Sequence, residues 1–300
     1  MIAKTHNGRF AFPALILANI FLAFGPWMVR LADVGPVAAG FWRVALAAPV
    51  LMLLATRSAK GLSAPLGILL TIAFGGLFFA ADLAAWHEGI LRTKLANATL
   101  FGNSSSLLFA LYGFIAGRML PRPIQILALL LAGIGAVLLL RSSYELSPLH
   151  FAGDLLTMLA GLFYAVYLIA VDRARKTLAP MPVLALSTLA GTLPLLLFAL
   201  ALGERVLPHH WTALILLSVG SQIFGQGLLV YAIGYVSPVV VGIGLLTQPA
   251  ITALIGRFVY GERLGPADIA GAILICLALV LIRWPARLES SASKAHLSEE

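Results

Sequence analysis

The chain has 300 residues, of which 61% are hydrophobic and 11% are charged. Soluble domains carry about 45–50% apolar and about 25% charged residues, so this composition excludes a soluble globular protein and indicates that lipid surrounds the chain. The formal net charge of +8 does not indicate nucleic-acid binding, because the basic residues lie at the ends of apolar runs rather than in one patch.

Apolar runs long enough to cross a bilayer follow one another along nearly the whole sequence. A spanning helix needs about 20 apolar residues, and the short connections between the runs carry most of the charge. The sequence therefore predicts an all-α membrane protein with ten transmembrane helices and a polar tail at 285–300. The predicted spans are 11–32, 36–55, 66–88, 95–116, 123–141, 151–171, 181–202, 211–233, 238–258 and 266–284.

Lysine and arginine residues in the connections predict the orientation of the chain. The side of the bundle that includes Arg57, Arg118 and Arg173 collects more of them than the side that includes Arg92 and Arg205. Cytoplasmic connections carry the excess of positive charge in membrane proteins. We therefore expect both termini, and the tail, to lie in the cytoplasm.

Residues 90–118 resemble residues 233–262, about 143 positions later in the chain. Each stretch begins with a short polar hinge, continues as a helix of small residues and ends in Gly-Arg or Gly-Glu. Five spans are an odd number, so two halves with one fold would enter the membrane from opposite sides, as in many transporters. We predict an inverted-topology repeat with halves at 1–147 and 148–284. A chance match between strings of Leu, Ala and Gly is the alternative.

The first span carries a stripe of residues at helical spacing, Asn19, Ala23, Trp27 and Arg30. Asn19 is poorly suited to face lipid, so the stripe is expected to face the protein interior. Pro26 is expected to kink the helix. Trp27 is then predicted to form a wall of a substrate pocket, with simple packing or interface anchoring as the alternative.

Ionisable residues within a membrane are costly and mark functional sites by default. Arg43 in span 2 and Asp82 in span 3 are each expected about 10 Å from the same membrane face, at 1.5 Å per residue. Opposite charges at one depth should pair, because each alone would be costly in lipid. The pair would act either as a structural brace or as an outer gate or coupling site.

Trp86, His87 and Glu88 follow near the end of span 3. Trp86 shares a helix face with Asp82, four residues earlier, and the charge of His87 can change near neutral pH. Trp86 is therefore a candidate for substrate binding, and His87 is a candidate for gating or coupling. The alternative is a tryptophan in the interface belt beside a solvated His-Glu pair.

Polar residues near the bilayer centre of spans 4 and 9 form a further candidate set. Span 4 carries Phe101, Asn103 and three consecutive serines, and the repeat aligns Ser105 with Gln248 of span 9. Transporter sites lie near the midplane at a repeat interface, so we expect substrate contacts here. Hydrogen bonding between helices uses the same residue types and is the alternative.

Aromatic and amide side chains complete the candidate site. Gln222 and Gln226 share a face of span 8, and Tyr164 lies one turn from Tyr167 in span 6. Such groups suit a zwitterionic or cationic amphipathic solute, whereas a phosphorylated sugar would need midspan Lys or Arg residues. The predicted substrate-binding residues are Trp27, Trp42, Phe79, Trp86, Phe101, Asn103, Ser105, Tyr164, Tyr167, Gln222, Gln226 and Gln248.

Motifs for other functions are missing from the sequence. It contains no Walker loop and no nucleophile–base pattern, and His209-His210 lack further metal ligands. We expect no cofactor, no metal and no enzymatic activity, with membrane lipid and a small molecule as partners. A monomer is expected, with a homodimer as the alternative. A passive channel, or a membrane-embedded enzyme that uses Asp82, His87 and Glu88, is the alternative to a carrier.

Three short motifs resemble the EamA branch of the drug/metabolite transporter superfamily. They are Ala96-Asn97-Ala98-Thr99-Leu100, Gly-Glu-Arg-Leu at 261–264 and Phe-Trp-Arg at 41–43. The resemblance covers the whole chain as two EamA-like halves and is greatest to bacterial inner-membrane exporters of amino acids and amphipathic compounds, including aromatic amino-acid/methyl viologen exporters. It implies a secondary transporter of the bacterial inner membrane that exports such solutes by alternating access, as exchanger, facilitator or proton antiporter.

The first half departs from the family pattern at two positions. It ends in Gly117-Arg118 where the family usually has Gly-Glu, and Ser106 replaces a proline that the second half keeps as Pro249. We therefore expect the two halves to bend differently.

Overall fold

Helices account for all regular secondary structure in the computed structural model, which describes residues 6–58, 61–93, 98, 101–118, 120–141, 150–259 and 265–283. The predicted all-α class is confirmed. The elements are a 3₁₀ turn (His6–Phe10), α1 (Ala11–Ala23), α2 (Gly25–Leu31), α3 (Pro36–Thr56), α4 (Leu66–Arg92), α5 (Ser104–Gly117), α6 (Pro123–Arg141), α7 (Phe151–Arg175), α8 (Pro180–Ala201), α9 (Thr212–Leu216), a π-helical stretch (Leu217–Gln226), α10 (Gly227–Ile233), α11 (Pro238–Leu245), α12 (Gln248–Val259) and α13 (Pro266–Arg283).

Six helical segments within the described residues are long and apolar enough to cross a membrane, so the chain is a multi-pass membrane protein. One of them combines α1 with α2, and another combines α9, the π-helical stretch and α10. Shorter apolar helices occupy the other four predicted spans. Residues 95–97, 99 and 100 of the fourth predicted span, and residue 284 of the last, lie outside the described residues.

Interruptions divide some of these segments near the middle of the bundle. α1 stops before Phe24, and Pro26 then lies in the first turn of α2, where its missing N–H costs no helical hydrogen bond. The predicted kink is thus confirmed as a break. A turn at Asn103 precedes α5, and a turn at 246–247 separates α11 from α12. Each break leaves backbone groups that need partners other than the next helical turn.

Helix packing joins the first half of the chain to the second. α4 packs against α7 and α8, α3 packs against α8, and α1 packs against the π-helical stretch and α10. In addition, α5 packs against α11 and α6 against α13. Glycine allows the closest approaches, since a Cβ at Gly76 would lie 2.4 Å from the carbonyl oxygen of Ser187, and one at Gly242 would lie 2.4 Å from that of Ser106.

Large apolar side chains occupy both the core and the outer surface of the bundle. Phe79, Phe109 and Tyr167 are almost completely buried, whereas Leu193 and Phe258 are mostly exposed. In water, such exposure would oppose folding. Lipid tails are as apolar as leucine, so the same exposure carries no such cost in a membrane. The distribution is that of a bundle whose outer surface contacts hydrocarbon.

We expect Gly76→Ala to destabilise the fold. The added methyl group would meet the Ser187 carbonyl and the Ala190 side chain, and overpacking of this kind costs about 1–3 kcal/mol. The control is Gly133→Ala in α6, where nothing lies within 4 Å of the added Cβ and helix propensity favours alanine. Thermal unfolding in detergent measures both variants. An unchanged or higher melting temperature for Gly76→Ala would contradict the close packing of α4 on α8.

Candidate functional site

A cavity lies in the middle of the bundle, where the helix interruptions meet α3, α4 and α7. Its volume is about 100 Å³, counted as the space open to the centres of water molecules. Charged, aromatic and neutral polar side chains line it. The lining residues are Leu22, Ala23, Pro26, Arg43, Phe79, Asp82, Leu83, Trp86, Gly102, Asn103, Ser105, Ser106, Tyr164, Gln226, Leu245, Gln248 and Thr252.

Arg43 is the cation of this cavity, and residues behind the wall hold it in place. Its Nε donates to Oε1 of Gln222 at 3.1 Å, and Nε2 of Gln222 donates to the hydroxyl of Thr188 at 2.9 Å. The guanidinium carbon lies 5.6 Å from the ring centre of Phe79. Phe79 in turn stacks on Tyr167, with ring centres 4.6 Å apart. The guanidinium is therefore oriented without a carboxylate partner.

Asp82 lines the same cavity as Arg43, but the two side chains do not form the direct ion pair that the sequence predicted. Among the described residues, no ion pair within 4.0 Å involves either of them. The prediction was wrong because Gln222, which lies far along the chain, takes the guanidinium contact. The cavity consequently has a guanidinium group and a carboxyl group on its wall that do not pair with each other.

Asn19 supports the break between α11 and α12. Asn19 and Ala23 of the predicted stripe are buried, which confirms that this part of span 1 faces inward, whereas Arg30 at the end of the stripe is exposed. Nδ2 of Asn19 donates to the carbonyl oxygens of Leu15 at 2.9 Å and Gly244 at 3.0 Å. Its Oδ1 accepts from Nε2 of Gln248 at 3.0 Å. The hydroxyl of Thr247 donates to the same Gly244 carbonyl at 2.7 Å. Asn19 and Thr247 therefore share the carbonyl at the break, and Asn19 also orients a cavity residue.

Two buried polar atoms on the cavity wall have no hydrogen-bond partner among the described residues. They are Oε1 of Gln226 and Oγ of Ser106. The other end of the Gln226 amide is occupied, because Nε2 donates to the Tyr164 hydroxyl at 3.0 Å. Buried polar atoms are normally paired, so these two are available to a bound solute or water.

The turn before α5 contributes the predicted polar residues of span 4. Asn103 caps α5 and lines the cavity, and Oγ of Ser105 donates to the carbonyl oxygen of Gly102 at 3.0 Å. Gly102 permits a close approach to Trp86, since a Cβ there would lie 3.2 Å from Nε1 of the indole. The predicted residues that line the cavity are Arg43, Phe79, Asp82, Trp86, Asn103, Ser105, Tyr164, Gln226 and Gln248.

The remaining predicted substrate-binding residues lie outside the cavity lining. Tyr167 and Gln222 are behind the wall, where they support Phe79 and Arg43. Trp42 packs edge-on against Trp211 and donates its indole N–H to a loop carbonyl, and Trp27 packs in an apolar cluster near the start of α3. Phe101 is also absent from the lining.

His87 is completely buried and does not line the cavity. Its Nδ1 lies 2.8 Å from the carbonyl oxygen of Pro36, and we assign the proton to Nδ1 because a carbonyl can only accept. This hydrogen bond ties α4 to the start of α3. Glu88 instead pairs with Arg92 at 2.5 Å. Asp82, His87 and Glu88 therefore lie in three different environments.

Some cavity residues could not be predicted from their own chemistry. Leu22, Leu83 and Leu245 line the cavity, but an apolar side chain carries no signal that separates a cavity wall from a lipid-facing surface. Thr252 is different, because it stands four residues after Gln248 and therefore on the same face of α12. The four-residue spacing from Gln248 could therefore have predicted Thr252 as a cavity residue.

A second polar contact joins the start of α3 to the segment after α8. The carboxylate of Glu204 accepts from the backbone N–H groups of Val37 at 3.1 Å and Ala38 at 2.7 Å, a favourable position for negative charge at a helix N-terminus. Burial raises the pKa of Glu204, the two N–H groups lower it, and the neighbouring Glu88 carboxyl raises it; the net pKa lies above the usual value.

We expect Asn19→Ala to destabilise the fold and the cavity together. The change removes one donor from the Gly244 carbonyl, which keeps the Thr247 hydroxyl, and leaves the Gln248 amide without its acceptor. One unsatisfied buried group costs about 1–3 kcal/mol. Thr71→Ala is the control, because it removes a hydroxyl hydrogen bond on an exposed helix surface and should change stability by less than about 0.5 kcal/mol. Melting temperatures in detergent test this; equal effects of the two substitutions would contradict the role of Asn19.

The Glu204 carboxyl should make stability depend on pH. The folded state binds its proton more tightly than the unfolded chain, so it contributes stability below the ordinary pKa of 4.5 that is lost as pH rises through the raised pKa. The group is partly exposed, so screening should keep the change to about 1 kcal/mol or less. The melting temperature of Glu204→Gln should therefore fall less than that of the wild type as pH rises. Parallel curves would contradict this, and Glu88→Gln should be intermediate.

Comparisons with known proteins relate part of the chain to one transporter family. The sequence profile of the EamA-like transporter family matches residues 151–284. An uncharacterized transporter of Archaeoglobus fulgidus is 26% identical over 273 residues, which cover 88% of this chain and 91% of that protein. A solved structure, described only as the crystal structure of a protein, superposes on this chain with a TM-score of 0.76. The match covers 93% of this chain and 98% of that chain at 19% identity. A likeness at this identity shows the fold alone. Residues 151–284 thus match the EamA-like transporter family, and the chain as a whole is similar to a transporter. Both findings support a multi-pass membrane transporter of the drug/metabolite transporter superfamily.

Proposed function

We propose that this protein is a secondary transporter that exports amino acids or related small amphipathic metabolites by alternating access. The observation that carries the proposal is the central cavity. There, the guanidinium of Arg43 and the carboxylate of Asp82 line one space without pairing to each other.

A zwitterionic amino acid matches this arrangement. Its carboxylate would accept from Arg43, whose planar guanidinium suits a carboxylate, and its ammonium group would donate to Asp82. Phe79 and Trp86 offer aromatic surface to the side chain of the solute. Each protein charge is costly to bury alone, and a zwitterion would provide both with a partner at once.

Neutral polar groups would complete the binding site. The free Oε1 of Gln226 can accept from the ammonium group, and Asn103, Ser105 and Gln248 provide further hydrogen-bonding atoms on the wall. Coupling is assigned to Asp82, because a carboxylate on the cavity wall can exchange a substrate ammonium for a proton. Exchange, facilitated diffusion and proton antiport are all consistent with that chemistry.

Alternating access would use two inverted repeats, which we assign to 1–147 and 148–284, with 285–300 as a cytoplasmic tail. Helix packing supports this assignment. Predicted spans 2, 4 and 5 pack against spans 7, 9 and 10, and span 1 packs against span 8 as span 6 packs against span 3. The turns at Asn103 and Leu246 also stand at equivalent positions of the sequence repeat. Halves related in this way could rock about the cavity between them.

The location that we propose is a bacterial inner membrane, with both termini in the cytoplasm. Arg57, Arg173 and Lys176 lie at helix ends opposite the face that carries Asp33 and Glu204. Positive charge concentrates on the cytoplasmic side. The Glu204 contact would then close the periplasmic side of the cavity.

The proposal is tested by uptake of labelled phenylalanine into proteoliposomes. Competition by unlabelled phenylalanine is compared with that by phenethylamine, which lacks the carboxylate, and 3-phenylpropionate, which lacks the amine. The wild type should prefer the amino acid over both analogues by about 10- to 100-fold, the worth of one charged hydrogen bond. Arg43→Gln should lose the preference over the amine, and Asp82→Asn should lose the preference over the acid.

The matched controls are Arg57→Gln and Asp172→Asn. They remove one positive and one negative charge outside the cavity lining and should keep both preferences. Equal competition by all three compounds in the wild type would overturn the zwitterion assignment. Saturable uptake that is stimulated by substrate on the opposite side supports a carrier. Non-saturable flux would instead indicate a passive channel, and chemical conversion of the solute would indicate an enzyme.

A further inference from the structure

A groove on the outer surface of the bundle lies between α4, α7 and α8. Its volume is about 400 Å³, counted as for the central cavity. Ala80 and Ala84 of α4, both almost completely buried, form its floor. Pro194 within α8 and Phe198, which is 53% exposed, form one wall. The groove therefore opens toward the hydrocarbon that surrounds the bundle.

The groove ends at an ion pair in the last turn of α4. Nη2 of Arg92 lies 2.5 Å from Oε2 of Glu88, and the two side chains are 56% and 17% exposed. From Leu77 to Arg92 the groove extends about 22 Å at 1.5 Å per residue, which exceeds half of a hydrocarbon core about 30 Å thick. The groove is thus apolar along its length and charged at the end near the membrane surface, which matches the acyl chain and headgroup of one lipid molecule.

We propose that this groove binds a phospholipid with a zwitterionic primary-amine headgroup, namely phosphatidylethanolamine. An acyl chain would lie over Ala80 and Ala84, the phosphate would accept from Arg92, and the ammonium group would donate to Glu88. The Arg92–Glu88 pair thus offers a positive charge to the phosphate and a negative charge to the ammonium group of the headgroup.

Charge selects this headgroup over an anionic one. Glu204 lies beside Glu88, so the charged end of the groove has two carboxyl groups near the one guanidinium of Arg92. A phosphate with an attached ammonium group neutralises both signs. The headgroup of phosphatidylglycerol would satisfy Arg92 with its phosphate, but its neutral glycerol offers no cation to the two carboxyl groups, which is unfavourable. The groove and the central cavity share no lining residue, so this proposal stands apart from the transported solute.

Lipid titrations of the purified full-length chain in detergent, followed by native mass spectrometry, test the proposal. Phosphatidylethanolamine and phosphatidylglycerol with the same acyl chains are compared. We expect one phosphatidylethanolamine per chain, bound about tenfold more tightly than phosphatidylglycerol. Arg92→Gln should weaken binding about tenfold, as expected for one charged hydrogen bond, and Arg92→Lys should retain most of it. Ala81→Phe, which fills the groove, should abolish it.

The controls are Arg205→Gln and Leu70→Phe. Arg205 lies at the same membrane face but outside the groove lining, and Leu70 is an exposed residue of α4 outside it. Both variants should bind lipid as the wild type does, and melting temperatures verify that every variant is folded. Equal affinity for the two lipids, or undiminished binding by Ala81→Phe, would overturn the proposal. A wild-type dimer that Ala81→Phe converts to a monomer would show that a second copy covers the groove.

Discussion

The cavity depends on one hydrogen-bonding constraint, which Asn19 meets. A helix that is interrupted within a membrane exposes backbone groups that lipid cannot satisfy, so non-helical backbone persists there only when protein or a polar cavity provides partners. Asn19 donates to the Gly244 carbonyl and accepts from Gln248. The break between α11 and α12 thereby becomes compatible with hydrocarbon, and the cavity acquires Gln248 and Thr252 on its wall. An apolar residue at position 19 would leave Thr247 as the donor to the Gly244 carbonyl and would leave Gln248 without its acceptor.

Two amides on one helical stretch determine how the cavity presents Arg43 and Tyr164. Gln222 holds the guanidinium of Arg43, and Gln226 holds the Tyr164 hydroxyl. Both amides lie on the π-helical stretch 217–226, and such irregular turns occur frequently at functional sites. Residues that resemble binding groups in the sequence therefore separate into two roles. Some, such as Arg43, line the cavity, and others, such as Gln222, hold the cavity-lining side chains in place.

Glu88 links the two features of the membrane face at which α3 begins. On one side it pairs with Arg92 at the end of the outer groove, and on the other it lies beside Glu204, whose carboxylate accepts from the first turn of α3. A change of charge at any one of these groups alters the electrostatic free energy of the others, because they lie well within a Debye length. The lipid contact and the contact between α3 and the segment after α8 are thus electrostatically connected.

The sequence by itself determined the helical class, six of the long apolar spans, the family resemblance and many of the cavity residues. Run length identifies a helix that must cross hydrocarbon, and a charge such as Asp82 within a run must face protein, because lipid cannot solvate it. Periodicity likewise placed Asn19 on an inward face. Tertiary structure decided which helix covers each face. Arg43 contacts Gln222, 179 positions away in sequence, and Trp42 donates to Val206, 164 positions away. Local pattern carries no information about partners so distant, so the packing of the two halves alone separated cavity wall from support.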